Sequence, residues 1–288
     1  MKVVQTFWSG RKKILEDGYG WLSPKHHIMS WALSCLCLKE NYDEVILYTD
    51  SPGYIIFHEA LQLPYTRYEV LYDSIKCKPE HWAYPKLLTY SLQEKPFIHV
   101  DGDVFLHNRL NPEIESGDLI AQNREIGTLY YKNMMPPILM NSIRVAAILY
   151  RELIKDSISS YNMGVTGGND IEFIKDYCRA AFEYINDNRI NVPENEAGNI
   201  NQNIVFEQIL FCVLATSHHK YVATVIDRPL FDNGYTVEEF CNFRKFGQNT
   251  LMHIIGGHKR NPEVCRMLEQ TLQEKYPETF HKIQQLFT

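Results

Sequence analysis

Residues 97–106 read Phe97-Ile98-His99-Val100-Asp101-Gly102-Asp103-Val104-Phe105-Leu106. Apolar runs on both sides of two carboxylates predict a buried strand that ends in a polar loop. In an extended segment, side chains two residues apart point the same way, so Asp101 and Asp103 would face one divalent cation. Close carboxylates repel each other, and Mn²⁺ or Mg²⁺ relieves that repulsion. The competing interpretation is an ordinary Asp-Gly turn between two strands.

Strand and helix patterns alternate on the amino-terminal side of this stretch. We predict strands at 3–7, 45–49 and 68–72, and helices at 24–38, 54–61 and 81–93. This alternation predicts an α/β fold with a mixed, mostly parallel sheet flanked by helices, because parallel strands need a helical crossover. Ligands of such sheets bind outside the carboxyl ends of the strands, so the loops at 6–10, 50–53 and 101–103 are expected to share one site. The second half is less regular, with a helix predicted at 171–186.

Length and composition limit the class of protein. The chain has 288 residues and a net charge of -6 at pH 7, with 45% hydrophobic and 22% charged residues. These values suit a single globular domain, 1–288, which we divide into halves 1–110 and 111–262 and a C-terminal helix at 263–288. The negative charge argues against a nucleic-acid partner.

Cysteine usage and hydropathy bear on location. Seven cysteines, an odd number, lie mostly in apolar stretches, which favours a reducing compartment and predicts a cytoplasmic protein. We find no secretory leader pattern at the start and no apolar run of the roughly 20 residues that cross a bilayer. Peripheral contact with a membrane is left open, as is the oligomeric state.

A second motif lies near the other end of the chain and reads His253-Ile254-Ile255-Gly256-Gly257-His258-Lys259. A neutral imidazole can complete a metal shell that carboxylates begin, glycines let backbone amides approach phosphate, and a lysine neutralises a diphosphate. One short segment would then supply a metal ligand, a phosphate cradle and a positive charge. The competing interpretation is a plain surface turn.

A third motif is Tyr161-Asn162-Met163-Gly164-Val165, which leads into Thr166-Gly167-Gly168. The amide of Asn162 offers a donor and an acceptor to sugar hydroxyls, and glycine allows close approach. A simple turn before the helix predicted at 171 explains the same pattern.

In this order the three motifs resemble those of GT-A-fold glycosyltransferases that use nucleotide sugars, nearest to the family of glycogenin and the bacterial lipopolysaccharide galactosyltransferases. That family carries Asp-x-Asp, Asn-x-Gly and His-x-x-Gly-x-x-Lys, which correspond here to segments 101–103, 162–164 and 253–259. The resemblance implies a GT-A (Rossmann-like) fold. It also implies a metal-dependent enzyme that moves a hexose from a UDP-sugar to a hydroxyl of a saccharide or glycolipid acceptor, with retention of configuration.

The same resemblance implies roles for individual residues. Asp101 would contact the donor ribose and the metal, with Asp103 and His253 as further ligands of Mn²⁺ or Mg²⁺, while Gly256 and Lys259 would hold the diphosphate. Contacts with the nucleobase, the sugar and the rest of the donor are implied for Gln5, Thr6, Phe7, Lys86, Asn162 and Gly164. A solvated position on a helix is the alternative for Lys86.

The chain departs from the family pattern in two places. Lys259 is followed by Arg260-Asn261-Pro262, where the family continues Pro-Trp. The family also carries a catalytic element with an acidic residue and a glutamine, for which this sequence offers two candidates, Asn201-Gln202-Asn203 and Glu207-Gln208. We favour Glu207 and Gln208, because a predicted helix holds side chains more firmly than a loop. A retaining reaction needs no strong base, whereas an inverting one needs a carboxylate, for which Glu207 and Asp170 are candidates.

Two other classes of function stay open. A metal-dependent nucleotidyltransferase or phosphotransferase would also use paired carboxylates and a lysine, although the sequence lacks a Gly-rich loop ending in Lys-Ser/Thr. A non-catalytic glycan-binding protein is favoured by 18 Tyr and 14 Phe, because aromatic rings stack on sugar faces. Such a module has no need for Asp101, Asp103, His253 and Lys259 together.

Overall fold

A computed structural model describes residues 1–191, 200–232, 234–248 and 250–288. The strands of these segments are β1 (Lys2–Thr6), β2 (Val45–Thr49), β3 (Arg67–Val70), β4 (Phe97–Val100), β5 (Val104–Leu106), β6 (Leu119–Ile126), β7 (Ser159–Gly168), β8 (Val222–Thr224) and β9 (Leu251–His253).

The α-helices of the same segments are α1 (Pro24–Asn41), α2 (Ser51–Tyr54), α3 (Ala83–Ser91), α4 (Pro112–Glu115), α5 (Leu129–Asn141), α6 (Ala147–Leu153), α7 (Ile171–Asp187), α8 (Leu210–Ser217), α9 (Val237–Phe240), α10 (Pro262–Lys275) and α11 (Pro277–Gln285). Two π-helical segments, Ile55–Ala60 and Ile204–Ile209, follow α2 and precede α8. Within the described segments, no helix combines the length and apolar character needed to cross a membrane.

Seven strands form one mixed sheet among the described residues, in the order β3-β2-β1-β4-β7-β6-β8. Strand β2 pairs in parallel with both β1 and β3, and β6 pairs in parallel with β8 and antiparallel with β7. The expected α/β class with a mostly parallel sheet flanked by helices is therefore confirmed. Predicted strand 45–49 matches β2 residue for residue.

The chain divides into two compact units, and the first comprises Met1–Ser74, His99–Asn111 and Tyr235–Thr288. Helix α1 begins as the sequence predicts, because Ser23 caps it by accepting a hydrogen bond from the His26 backbone N–H and Pro24 occupies the first turn. Nearly all of its central residues are buried. The first unit also contains a two-stranded antiparallel sheet in which Val104 of β5 lies opposite His253 of β9.

The second unit comprises Ile75–Ile98 and Pro112–Gly234. Its long strand β7 occupies the place where the sequence suggests a Gly-rich turn. Gly167 and Gly168 have φ of 143° and 136°, and a Cβ at either would lie 2.1 Å from a backbone oxygen, of Phe97 or of Asp118. These glycines therefore allow close backbone approach inside a sheet, and they do not mark a loop.

Other boundaries differ from the expected ones for local reasons. The helix expected at 54–61 is a short α-helix followed by a π-helical segment. The C-terminal helix expected at 263–288 is two helices, α10 and α11, because Pro277 disfavours helical geometry at Tyr276. The units also cut across the expected halves, since 75–98 belongs to the second unit and 235–262 to the first.

Candidate functional site

The clearest cluster of charged side chains in the first unit surrounds Asp103. Its Oδ2 lies 2.5 Å from Lys259 Nζ, and its Oδ1 lies 3.6 Å from His253 Nε2. Asp103 and His253 are largely buried, with 15% and 6% of their side-chain surface exposed, and Lys259 is 22% exposed. Two motifs 150 positions apart in the sequence, at 103 and 253, thus meet around one carboxylate.

Backbone pairing brings these residues together. Asp103 directly precedes β5, His253 ends β9, and the Ile254 N–H donates to the Asp103 carbonyl at 3.1 Å. The chain then makes a 3₁₀ turn at Gly256–Arg260, where Gly256 has φ +54°, and the Lys259 carbonyl accepts a hydrogen bond from the Leu22 N–H at 3.0 Å. The lysine is therefore held in place by its backbone as well as by its ion pair.

The charges around Asp103 set its protonation state. Burial raises the pKa of the Asp103 carboxyl, but the Lys259 ammonium and the His253 ring outweigh that effect, and the pKa lies well below its ordinary value. Asp103 is an anion throughout the physiological range. An anionic carboxylate beside an imidazole and an ammonium can bind a cation on one side and a phosphate on the other.

Asp101 has different neighbours from Asp103. Its Oδ1 lies 3.7 Å from His99 Nδ1, and His99 Nε2 lies 3.0 Å from the Thr6 hydroxyl. The segment is a turn, closed by a hydrogen bond of 3.1 Å from the Val104 N–H to the Asp101 carbonyl, so the alternation of an extended strand does not apply. In the described parts of the chain, no group of three or more His, Cys, Asp or Glu side chains is arranged to hold a metal ion. The metal site expected at Asp101, Asp103 and His253 stays a prediction, and Asp103 and His253 are the two of these residues whose side chains lie close together.

Gly102 serves packing in this structure. A Cβ at this position would lie 2.3 Å from the Trp31 indole of α1, and the Gly102 carbonyl accepts a hydrogen bond from Ser30 at 2.7 Å. The glycine in Asp-Gly-Asp thus lets an aromatic ring approach the backbone.

The end of β1 contributes less to a ligand site than expected. Gln5 is fully buried, where its amide donates to Ser34 Oγ and the Val100 carbonyl and its oxygen accepts from the Tyr65 hydroxyl. Phe7 is buried against the rings of Trp31 and Phe57. Both side chains are packed in the core of this structure, and the nucleobase contacts expected for them stay a prediction. Thr6 is part-exposed and stays a candidate.

The loops after β1 and β2 do meet, as expected. The Asp50 carboxylate accepts hydrogen bonds from the backbone N–H groups of Ser9 at 2.8 Å and Gly53 at 3.1 Å. Asp50 therefore fixes both loops, a structural role that follows from its position as the N-cap of α2.

His27 belongs to this region and was missed by the sequence reasoning. Its Nε2 accepts a hydrogen bond from the Trp31 indole at 3.0 Å, and its ring stacks on Tyr19 at 4.3 Å between centroids. Burial, assisted by the nearby Lys259 charge, lowers the pKa of His27 to about 3. His27 is thus a neutral histidine packed in the core. The sequence around it is the apolar pattern of α1, which does not indicate that His27 lies near Lys259.

The second unit contains its own buried ion pair. Lys86 Nζ lies 2.6 Å from Glu207 Oε1, with 6% and 0% of the two side chains exposed, and Lys86 also donates to the Met163 carbonyl at 3.4 Å. The solvated position considered for Lys86 is therefore excluded. Glu207 lies in the π-helical segment that continues into α8, so the expected helix is present.

The other predicted residues of the second unit join a buried polar network. Asn162 and Gly164 both lie in β7. The Asn162 amide donates to Glu125 at 3.4 Å and accepts from the Gly164 N–H at 2.9 Å. The Tyr131 hydroxyl contacts the Glu125 carboxylate and lies 2.9 Å from Gln208 Oε1. Gln208 is part-exposed at the edge of this network.

The alternative acidic-Gln segment has structural partners. Gln202 accepts from the Tyr184 hydroxyl at 3.0 Å, and Asn203 accepts from the Ala83 N–H at 3.0 Å. Both side chains are buried, whereas Gln208 is part-exposed. Of the two candidate glutamines, Gln208 is therefore the one more accessible to a ligand.

A family model, "Family of unknown function (DUF6734)", matches residues 1–286. The chain belongs to the DUF6734 family. No curated protein matches the chain.

This DUF6734 protein has two clusters of charged side chains, one in each unit. The first unit offers one anionic carboxylate between an imidazole and an ammonium, and the second offers a buried lysine-glutamate pair beside a polar network. The Asp103 group suits a ligand with both a cation and a phosphate, such as a metal-bound nucleoside diphosphate.

Proposed function

We propose that this protein is a metal-dependent glycosyltransferase of the GT-A type that moves a hexose from a UDP-sugar to an acceptor hydroxyl. The observation that carries the proposal is the meeting of Asp103, His253 and Lys259 around one carboxylate. An ordinary surface turn at Gly256–Arg260 does not require Lys259 and His253 to contact the same largely buried aspartate. The mostly parallel sheet, with the Asp-Gly-Asp turn directly after β4, supports the GT-A assignment.

Asp103 and His253 would hold the divalent cation, since a carboxylate and a neutral imidazole are ligands of Mn²⁺. Two protein groups leave the remaining positions to the diphosphate and water, which is common for Mg²⁺-type sites. The cation, when bound, stabilises the charge on the leaving diphosphate. Lys259 contacts Asp103 directly, and its ammonium would bind the diphosphate while giving up part of that contact.

The engagement of both candidate bases supports a retaining reaction. Glu207 is fully buried and paired with Lys86. Asp170 caps α7 and pairs with Lys220 at 2.6 Å, and the hydrogen bond from Lys220 lowers the pKa of Asp170. Neither carboxylate is available to take a proton from an acceptor hydroxyl, so the leaving phosphate would accept that proton. Gln208 stays the candidate for contact with the transferred sugar.

The proposal is tested by isothermal titration of UDP and of uridine, each in Mn²⁺ and in EDTA. UDP is expected to bind in Mn²⁺ and to bind at least tenfold more weakly in EDTA, because the cation offsets repulsion between the diphosphate and Asp103. Asp103→Asn should remove the metal dependence, and Lys259→Ala should weaken UDP far more than uridine. Lys25→Ala is the matched control, because it removes a lysine-carboxylate pair of the same unit, at 2.7 Å from Glu269, outside this cluster.

Equal binding of UDP in Mn²⁺ and EDTA would remove the metal from the proposal. A second assay follows hydrolysis of UDP-hexoses and of nucleoside triphosphates. Turnover of the triphosphates alone would favour a nucleotidyltransferase or phosphotransferase, and UDP-hexose binding without any turnover would favour a glycan- or nucleotide-binding protein.

A further inference from the structure

A cavity of about 290 Å³ in the second unit lies outside the residues discussed so far. Its basic lining residues are Arg124 on β6, Arg151 on α6 and Lys155 just after α6. Ligand pockets commonly measure about 300–1,000 Å³, so this cavity is at the small end and suits a single head group more than a nucleotide sugar.

The positive charge of the cavity is not cancelled by its one acidic residue. Glu152 Oε1 accepts a hydrogen bond from the Ser159 N–H at 2.9 Å, and Glu152 Oε2 lies 2.5 Å from Lys155 Nζ. Both carboxylate oxygens are therefore engaged away from the arginines. Arg124 donates to the Ser159 hydroxyl at 3.2 Å, and, within the part of the chain that the structure describes, neither arginine forms an ion pair with a carboxylate. Each guanidinium is a planar, fork-shaped donor, so two that line one small cavity suit a phosphate.

Exposed apolar side chains occur at the cavity and next to its lining residues along the chain. Ile148 lines it with 42% of its surface exposed, and Ile154, next to Lys155, is 55% exposed. Tyr150 on α6 is also 47% exposed. Isoleucines that stay in water beside a basic cavity suit a partner that is apolar and carries an anionic group.

We propose that this cavity binds the phosphate of an anionic membrane lipid, with Ile148 and Ile154 contacting the acyl region. The chain carries a net charge of -6, so general attraction to an anionic surface is absent and any binding must come from a local basic site. This proposal does not depend on the glycosyltransferase assignment, because every residue in it lies outside the Asp103 cluster.

The test is co-sedimentation of the full chain with vesicles of phosphatidylcholine, with and without phosphatidic acid. Binding is expected only when phosphatidic acid is present and should weaken as salt rises. Arg151→Gln should lower partition about fivefold, and the double variant with Arg124→Gln about 25-fold. Arg179→Gln is the matched control, because Arg179 is an exposed arginine of the same unit that does not line the cavity, and it should leave partition unchanged.

Two further arms separate the sources of the anion. Ile148→Ser with Ile154→Ser should reduce vesicle binding while leaving weak binding of inorganic phosphate, measured by titration, unaffected. Binding of inorganic phosphate without any vesicle binding would overturn the lipid assignment, and equal vesicle binding by the Arg124/Arg151 and Arg179 variants would overturn the site itself. Thermal midpoints of all variants show whether a loss of binding comes from a loss of fold.

Discussion

The buried ion pair between Lys86 and Glu207 gives a sharp prediction about stability. Glu207→Gln keeps the side-chain shape but removes the negative charge, which leaves the Lys86 ammonium buried without its anionic partner. Removing one partner of a buried ion pair costs about 3–5 kcal/mol of unfolding free energy, because the remaining charge stays desolvated. For a unit of this size that cost corresponds to a fall of roughly 6–20 °C in the thermal midpoint.

A surface pair provides the matched control. Lys175 Nζ lies 2.8 Å from Glu94 Oε1 in the same unit, but Glu94 is largely exposed. Glu94→Gln should cost less than about 1 kcal/mol, because water screens both charges. The double variant Lys86→Met with Glu207→Leu replaces the buried pair by apolar side chains and should recover most of the stability lost in Glu207→Gln.

Urea denaturation followed by circular dichroism measures all four proteins, with the slope of the transition checked for each variant. Equal destabilisation by Glu207→Gln and Glu94→Gln would refute the view that burial makes the Lys86 pair costly to break. Failure of the double variant to recover stability would instead show that the site needs its polar groups. The same measurement decides whether any loss of turnover in Glu207→Gln reflects chemistry or fold.

Three further predictions concern His27, Gly102 and the cysteines. Burial lowers the pKa of His27 to about 3, so as pH falls below about 6.5 the unfolded chain takes up a proton at His27 before the folded protein does. The free energy of unfolding should therefore fall on acidification. Between pH 6.5 and 4.5 we expect the wild type to lose about 2 kcal/mol more than His27→Gln, measured by urea denaturation. Gly102→Ala should destabilise by about 1–3 kcal/mol through its clash with Trp31, whereas Gly257→Ala, with no atom within 4 Å of the added Cβ, should stay within about 0.5 kcal/mol. All seven cysteines are buried and none forms a disulfide, so a thiol reagent should react with them in urea and hardly at all in the native protein. Rapid labelling of the native protein would contradict this burial.

The regular parts of the fold were predictable because local patterns determine them. Strand β2 is a short apolar run bounded by turn residues, and α7 shows helical periodicity after its cap, Asp170, so their predicted bounds agree with the structure to within one residue. Strand β7 was missed because its glycines indicate a turn, and only the close approach of neighbouring backbone explains them. The position of a glycine in three dimensions is not encoded in its immediate sequence.

The candidate site was predictable only in part. The meeting of Asp103 with His253 and Lys259 was anticipated from the chemistry of the motifs, although the pairing of β5 with β9 that produces it was not. The inward orientation of Gln5 and Phe7 depends on which face of β1 packs against α1, and a strand with buried residues on both faces has no polar-apolar alternation that would reveal it.

The pairing of β5 with β9 also has a consequence for synthesis of the chain. The first unit is built from three separated segments, and 150 positions separate Asp103 from His253. At about 5–20 residues per second, a ribosome needs roughly 8 to 30 seconds to make that interval, and for that time the nascent chain carries Asp103 without His253 or Lys259. Both segments of the second unit emerge before β9, so that unit can begin to fold while β5 still lacks its partner strand. Until then the edge of β5 and the Asp103 carboxylate are exposed to chaperones, which makes completion of this cluster one of the last events of folding.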